Sequence, residues 1–210
     1  QRVVIPVYNP AVDTLSRTGP RPIRRMPQPS KKERREQQLN NVRLLKIDSA
    51  NHTAMMDLSS FTRGYGLRKF FRNSFHAVKK NKIGHLIIDV RGNGGGSVNN
   101  STLISRYLAS DKFKISDSLY AVRKKSKYSH YIQNNFWNRL FISFLTKKRS
   151  DGNYHFGYFE RHCFKPKNNN HYDGKVYILT GGNSFSATTL FASALIKQEN
   201  VTVVGEETGG

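Results

Sequence analysis

Residues 175–210, KVYILTGGNSFSATTLFASALIKQENVTVVGEETGG, read as strand, glycine turn, helix, strand. Val176, Tyr177, Ile178 and Leu179 form a short β-branched, aromatic and apolar run between Gly174 and Gly181-Gly182, the pattern of a buried strand. From Ala187 the period changes, and Ala187, Leu190, Phe191, Ala194 and Leu195 fall on one helical face. Val201 to Val204 predicts a second strand, closed by Gly205. Between the first strand and the helix stands Asn183-Ser184-Phe185-Ser186. A sharp strand-to-helix turn there exposes a hydroxyl, and the helix N-terminus supplies free N–H groups and positive potential. A serine in that turn is well placed to be a nucleophile.

The same grammar recurs upstream. Leu86-Ile87-Ile88-Asp89-Val90 is an apolar run that predicts a central parallel strand buried on both faces. It leads through Arg91-Gly92-Asn93-Gly94-Gly95-Gly96-Ser97 into a helix carrying Leu103, Ile104, Tyr107 and Leu108. Further back, residues 42–47 (VRLLKI) predict a strand, and Leu67, Phe70, Phe71, Phe75 and Val78 recur at helical spacing from about Leu67. These units predict an α/β fold of βαβ arrangements, with right-handed crossovers and a mostly parallel sheet. Residues 110–172 interrupt the pattern as an aromatic-rich insertion. Short strands are expected around Phe113 to Tyr120, a helix from Tyr128 to Leu145 around Trp137, and a hairpin from Tyr154 to Phe164. The insertion is expected to wall or cap a site at the strand ends. The stripe of Phe136, Leu140 and Phe144 reads as core.

Residues 1–41 differ in composition. They hold most of the chain's prolines and the run Lys31-Lys32-Glu33-Arg34-Arg35-Glu36, and read as a basic linker or arm. Over 210 residues, 35 Lys and Arg against 14 Asp and Glu give a net charge of +21. That balance suits a nucleic-acid or anionic-surface binder. The basic residues are scattered, however, and no nucleic-acid motif accompanies them, so the charge reads first as solvated surface. No apolar run approaches the roughly 20 residues of a membrane-spanning helix. A single cysteine, Cys163, excludes an internal disulfide and a cysteine-built metal site. No metal site and no cofactor are expected.

Two glycine turns follow two apolar strands, and in an open α/β sheet ligands bind beyond the carboxyl ends of the strands. Residues 92–96 lack the lysine of a phosphate-binding loop, and Asn99 stands where a dinucleotide fingerprint needs its third glycine. Read with Ser186, the better use is an oxyanion hole. Backbone donors from Gly95 or Gly96 and from Ala187 would stabilise a tetrahedral oxyanion.

DVRGNGGGS (89–97), GGNSFSATTLFASAL (181–195) and VVGEETGG (203–210) together resemble the tail-specific or C-terminal-processing peptidases, family S41, in a form common in Bacteroidota. The resemblance covers residues 42–210, with the insertion as its variable part. It implies a ClpP/crotonase-like fold of stacked βαβ units, often preceded by a PDZ-like domain, and a protein or peptide substrate. It implies export to the periplasm or cell envelope. The second serine of the S-x-S pair carries the nucleophile, hence Ser186, and Gly95 is the first choice for the oxyanion glycine. Ser184 takes a supporting role, and Asp89 and Arg91 fix the turn; Glu206, in the GEETGG turn, is placed either to orient a base or to serve the turn itself. The general base is open. In the lysine-dyad branch the lysine falls one position beyond Gly210, so the core reads as C-terminally incomplete. In tricorn-like relatives that place is glycine, and a histidine serves with Glu and Ser; GEETGG is closer to this pattern. His52 is where such a histidine would be sought, on a poor local match. Two further readings stay beside the serine endopeptidase: a catalytically incomplete peptide-binding module on the same fold, and a basic nucleic-acid or anionic-surface binder.

Overall fold

The computed structural model describes residues 28–124 and 146–210. The chain divides into two units, residues 1–35 and 36–210. The expected helix from Tyr128 to Leu145, with its aromatic stripe, lies outside the described residues.

Within the segment read as a linker, Lys31–Asn40 forms helix α1, none of whose residues is buried. Its start is a reciprocal capping box. The Glu33 N–H donates to Ser30 Oγ (3.3 Å), and the Ser30 N–H donates to Glu33 Oε2 (2.6 Å).

The second unit is built on a five-stranded sheet. Its strands are β1 (Arg43–Asp48), β2 (Thr53–Leu58), β3 (His85–Asp89), β7 (Lys175–Thr180) and β8 (Val201–Gly205), side by side in that order. β1 runs antiparallel to β2, and the other four strands are mutually parallel. Three helices make the crossovers: α2 (Leu67–Lys80), α3 (Val98–Leu108) and α5 (Ala187–Leu195). Because the strand order advances in one direction, right-handed crossovers bring all three to the same face. The core confirms this layering. Ala54, Leu86 and Val176, and one step on Met56, Ile88 and Ile178, are laterally aligned and buried with Phe71, Phe75, Ile104, Leu108, Phe191 and Leu195.

The other face departs from expectation. β3 is not buried on both sides, since Ile87 and Asp89 are half-buried while Leu86 and Ile88 are fully buried. A single layer of helices is the physical reason. β2 (TAMMDL) was not foreseen; its Ala54, Met56 and Leu58 alternate inward between β1 and β3.

The described part of residues 110–172 holds three two-residue strands, β4 (Tyr120–Ala121), β5 (Lys147–Lys148) and β6 (Tyr154–His155), in antiparallel order β4-β6-β5. The expected hairpin from Tyr154 to Phe164 is instead β6 followed by the short helix α4 (Gly157–Arg161). Glu160 explains the difference. Its buried carboxylate turns inward to the His155 ring and to the Leu119 N–H, which requires a helical turn after β6 rather than a second strand. The described ends of the segment join the core near the edge where the parallel strands begin. α3 has already crossed back by its end, and there the Lys167 and Tyr172 N–H groups donate to the carbonyls of Arg106 and Tyr107.

Candidate active site

The parallel strands all end on one edge, where residues 59–66, 90–97, 181–186 and 205–210 meet. The sequence between β7 and α5 makes the turn by strain at one residue. Ser186 has φ 56° and ψ −117°, a backbone state costly for a side-chain-bearing residue, and immediately precedes α5. Its side chain is exposed and its Oγ has no hydrogen-bond partner among the described residues. Next to it, the Ala187 N–H opens the first turn of α5, so no intrahelical acceptor is available to it.

Ser184 points the other way. It is fully buried; its hydroxyl donates to the Val90 carbonyl (2.7 Å) and accepts from the Gly181 N–H (3.2 Å). It therefore ties the serine turn to the end of β3, across 94 positions of sequence. The two serines, two positions apart, thus differ in setting, Ser184 buried and bonded and Ser186 exposed.

The turn after β3 meets this loop from the side. Gly95 is buried at φ 100°, and a methyl group built on it would lie 3.0 Å from Ser186 Cβ and 3.2 Å from the Ala187 nitrogen. Only a residue without Cβ admits that approach. Gly96 continues the turn at φ 135° in a parallel bridge with Phe61, where the Phe61 N–H donates to Gly95 O (2.9 Å) and the Ser97 N–H to Phe61 O (3.1 Å).

Asn93 holds the parts in register and was not singled out in the sequence. Wholly buried, it donates from Nδ2 to Leu58 O (3.0 Å) and accepts at Oδ1 from the Gly95 N–H (2.9 Å). Its carbonyl accepts from the Phe185 N–H (3.1 Å). One side chain and its backbone thus join the end of β2, the glycine turn and the serine loop. The Gly95 N–H is consequently engaged, whereas the Gly96 N–H has no acceptor among the described residues. Asn100 does similar work from α3, donating to Phe61 O (2.8 Å).

Asp89 and Arg91 fix the turn. Arg91 binds Asp89 through Nε and Nη2 (2.7–3.2 Å), and its N–H donates to Asp89 Oδ1 (3.1 Å). These bonds hold the Asp89 carboxyl below its ordinary range. Glu206 reaches the same edge through its backbone: its N–H donates to Thr180 O (3.2 Å), and its carbonyl accepts from Thr180 Oγ1 (2.9 Å). Its carboxylate is exposed and takes no hydrogen bond among the described residues. Beyond it, the Gly209 N–H donates to Ser184 O (2.9 Å), so the GEETGG stretch folds back over the serine turn.

His52 is on the opposite edge. It sits just before β2, and its carbonyl accepts from the N–H groups of Gly84 and His85, where the parallel strands begin. A six-residue strand at roughly 3.3 Å per residue separates that edge from Ser186. His85 stands on the same far edge, and His171 adjoins Tyr172, which is bonded to the end of α3.

The model of peptidase family S41 matches residues 52–210, three quarters of the chain. The chain belongs to peptidase family S41. Solved structures agree in fold. A putative peptidase from Parabacteroides merdae superposes with TM-score 0.53 at 21% identity, over 86% of this chain and 50% of that one. The photosystem II D1 C-terminal processing protease gives TM-score 0.50 at 19% identity, over 75% of this chain and 31% of that one. Mature CPAF complexed with lactacystin gives 0.51 at 14% identity, over 75% and 38%. The chain thus spans half or less of the length of these proteins. No curated protein matches it. The α/β, mostly parallel fold of the S41 core is the one the sequence predicted.

Proposed function

We propose that the whole protein is a serine endopeptidase of the tail-specific kind, with Ser186 as its nucleophile. The observation that carries the reading is the strained, exposed Ser186 at the start of α5 with the bare Cα of Gly95 against it. In this reading Ser186 Oγ attacks the carbonyl carbon of the scissile peptide bond, and its proton passes to a general base. The oxyanion of the tetrahedral intermediate is met by the Ala187 N–H, with the positive end of α5 behind it. Of the two glycines, Gly96 is the better second donor, because Asn93 already holds the Gly95 N–H. Collapse expels the amine and leaves an acyl-Ser186, which water hydrolyses. Ser184 supports the turn from below. Export to the periplasm or cell envelope goes with this reading.

The base is supplied by a group other than the histidines at the opposite edge. The unpartnered Ser186 Oγ also favours a second reading, a peptide-binding module that does no chemistry. Treating the full-length protein and its Ser186→Ala variant with a fluorophosphonate probe separates the two. Labelling of the wild type that is lost in the variant is expected. Labelling that survives the substitution removes Ser186 from the role, and a folded wild type that neither labels nor cleaves peptides leaves the binding module.

A further inference from the structure

A second concave site lies away from Ser186, among α2, α3 and the return of the insertion. It is a cleft of about 290 Å³ lined by Arg68, Arg72, Leu103, Arg106, Tyr107 and Lys167. Arg68 and Arg72 are one helical turn apart on α2, and Arg106 lies in the last turn of α3. Lys167 is drawn in by its backbone, whose N–H donates to Arg106 O (2.6 Å), and its ammonium stands 5.4 Å from the centre of the Tyr107 ring. The Arg106 Nε is fixed on Lys165 O (2.8 Å). Beneath, Tyr107 is buried and stacks on Phe75 at 4.5 Å and 7°.

None of these four cations forms an ion pair with a carboxylate among the described residues. Like charges one helical turn apart repel, so the arrangement costs stability when empty. Another basic hollow, beside Lys147, Arg149 and Arg161, is different: there Glu160 takes Arg149 and, with Asp151, the His155 ring. Cations gathered around an apolar floor without an acid lack a counter-charge. Three of the four are guanidinium groups, whose fork of donors matches the oxygens of a phosphate. A monocarboxylate would offset one charge of four; a phosphate ester offsets more and presents three oxygens. The volume sits at the lower end of small-molecule sites, roughly 300–1,000 Å³.

We propose that the cleft formed by Arg68, Arg72, Arg106 and Lys167 over Tyr107 binds a phosphate group carried by a soluble phosphate compound or a lipid headgroup. The site is independent of the Ser186 reading.

The probe is inorganic pyrophosphate, titrated into the full chain at low ionic strength by calorimetry and by thermal shift. Three proteins are compared: wild type, Arg68→Gln/Arg72→Gln, and a control with two exposed lysines removed elsewhere, Lys46→Gln/Lys197→Gln. The expected result is saturable binding that raises Tm in wild type and control. The double arginine variant should bind about tenfold more weakly or worse, since each charge-assisted bond lost carries that order of affinity. Its Tm without pyrophosphate should equal or exceed that of wild type, which separates lost binding from misfolding. Equal weakening in both double variants would mean that the net charge alone attracts the anion, and would overturn the proposal; so would no binding by wild type. Sedimentation with phosphatidic-acid vesicles, against phosphatidylcholine vesicles, distinguishes the sources. Co-sedimentation displaced by pyrophosphate and lost in the arginine variant points to a headgroup. Pyrophosphate binding without co-sedimentation points to a soluble phosphate compound.

Discussion

A methyl group placed on Gly95 would stand 3.0 Å from Cβ of Ser186 and 2.6 Å from the Phe185 carbonyl oxygen. Residues 91 positions apart in sequence are thus in contact at backbone level. The contact arises because β3 and β7 are parallel neighbours, with Asp89 beside Leu179, so the turns that follow them leave the same edge together.

Gly95→Ala tests that contact. Its φ of 100° is itself unfavourable for alanine, by about 1–3 kcal/mol, and the new methyl group has no room. The urea midpoint should fall, and fluorophosphonate labelling of the full-length protein should fall with it as the turn is pushed off Ser186. An unchanged midpoint would mean that the two turns are not held this closely in solution.

Asn93→Ala removes both side-chain bonds and strands the Leu58 carbonyl and the Gly95 N–H in a buried site. Each stranded group costs about 1–3 kcal/mol, so the loss should be severe for a single polar residue. Asn93→Asp is the more discriminating variant. It keeps the acceptor for the Gly95 N–H but loses the donor to Leu58 O and brings in a buried charge. Its stability should therefore rise as pH is lowered towards protonation of the new carboxyl. A pH-independent deficit would contradict the assigned roles of Oδ1 and Nδ2.

What the sequence shows and hides follows from how each element is held. β3, β7 and α5 carry their own pattern, an apolar run, a glycine break and a 3.6-residue period, and these were legible. β2 was not, because Ala54, Met55, Met56 and Asp57 lack strand propensity and are held in the sheet by pairing to β1 and β3. α1 has no apolar face to reveal it, although the Ser30-x-x-Glu33 capping pair was available as a signal. In the candidate site, Ser186 and the glycine run stand out in the sequence because a turn announces each. Asn93 works by bonding Leu58, 35 residues away, and nothing local marks such a partner.

Ser186→Gly and Ser184→Ala should separate the two serines by stability alone. Glycine relieves the strained φ and ψ of position 186, so Ser186→Gly should gain about 1 kcal/mol while losing the proposed nucleophile. Ser184→Ala leaves the Gly181 N–H unpaired, although the Val90 carbonyl keeps its bond from the Asn93 N–H, and should lose about 1–3 kcal/mol. Chemical denaturation of both variants checks the pair. A destabilised Ser186→Gly would show that its backbone state is held without strain.

His155 gives a pH dependence whose sign is fixed by its neighbours. Nδ1 lies 2.7 Å from Glu160 Oε1 and Nε2 lies 2.8 Å from Asp151 Oδ2, and only the imidazolium can donate from both nitrogens. The Asp151 bond first, then the Glu160 bond, raises the His155 pKa above 6.5. Asp151, bonded to that ring, is lowered from 3.8 to about 2, and Glu160 is held below 4.5 chiefly by the Leu119 N–H. The imidazolium's contribution is complete below pH 6.5 and is lost as pH rises through its raised value. The carboxylates' contributions are complete above their ordinary values and are lost as pH falls through the lowered ones. Stability of the β4-β6-β5 sheet should therefore peak between about pH 4.5 and 6.5 and decline on the alkaline side. NMR titration of the His155 ring should give a midpoint above 6.5, and His155→Gln should flatten the alkaline decline in hydrogen-exchange protection at Tyr154 and Leu119. A midpoint at or below that value, with the decline unchanged in the variant, would show that the ring is not held as the imidazolium.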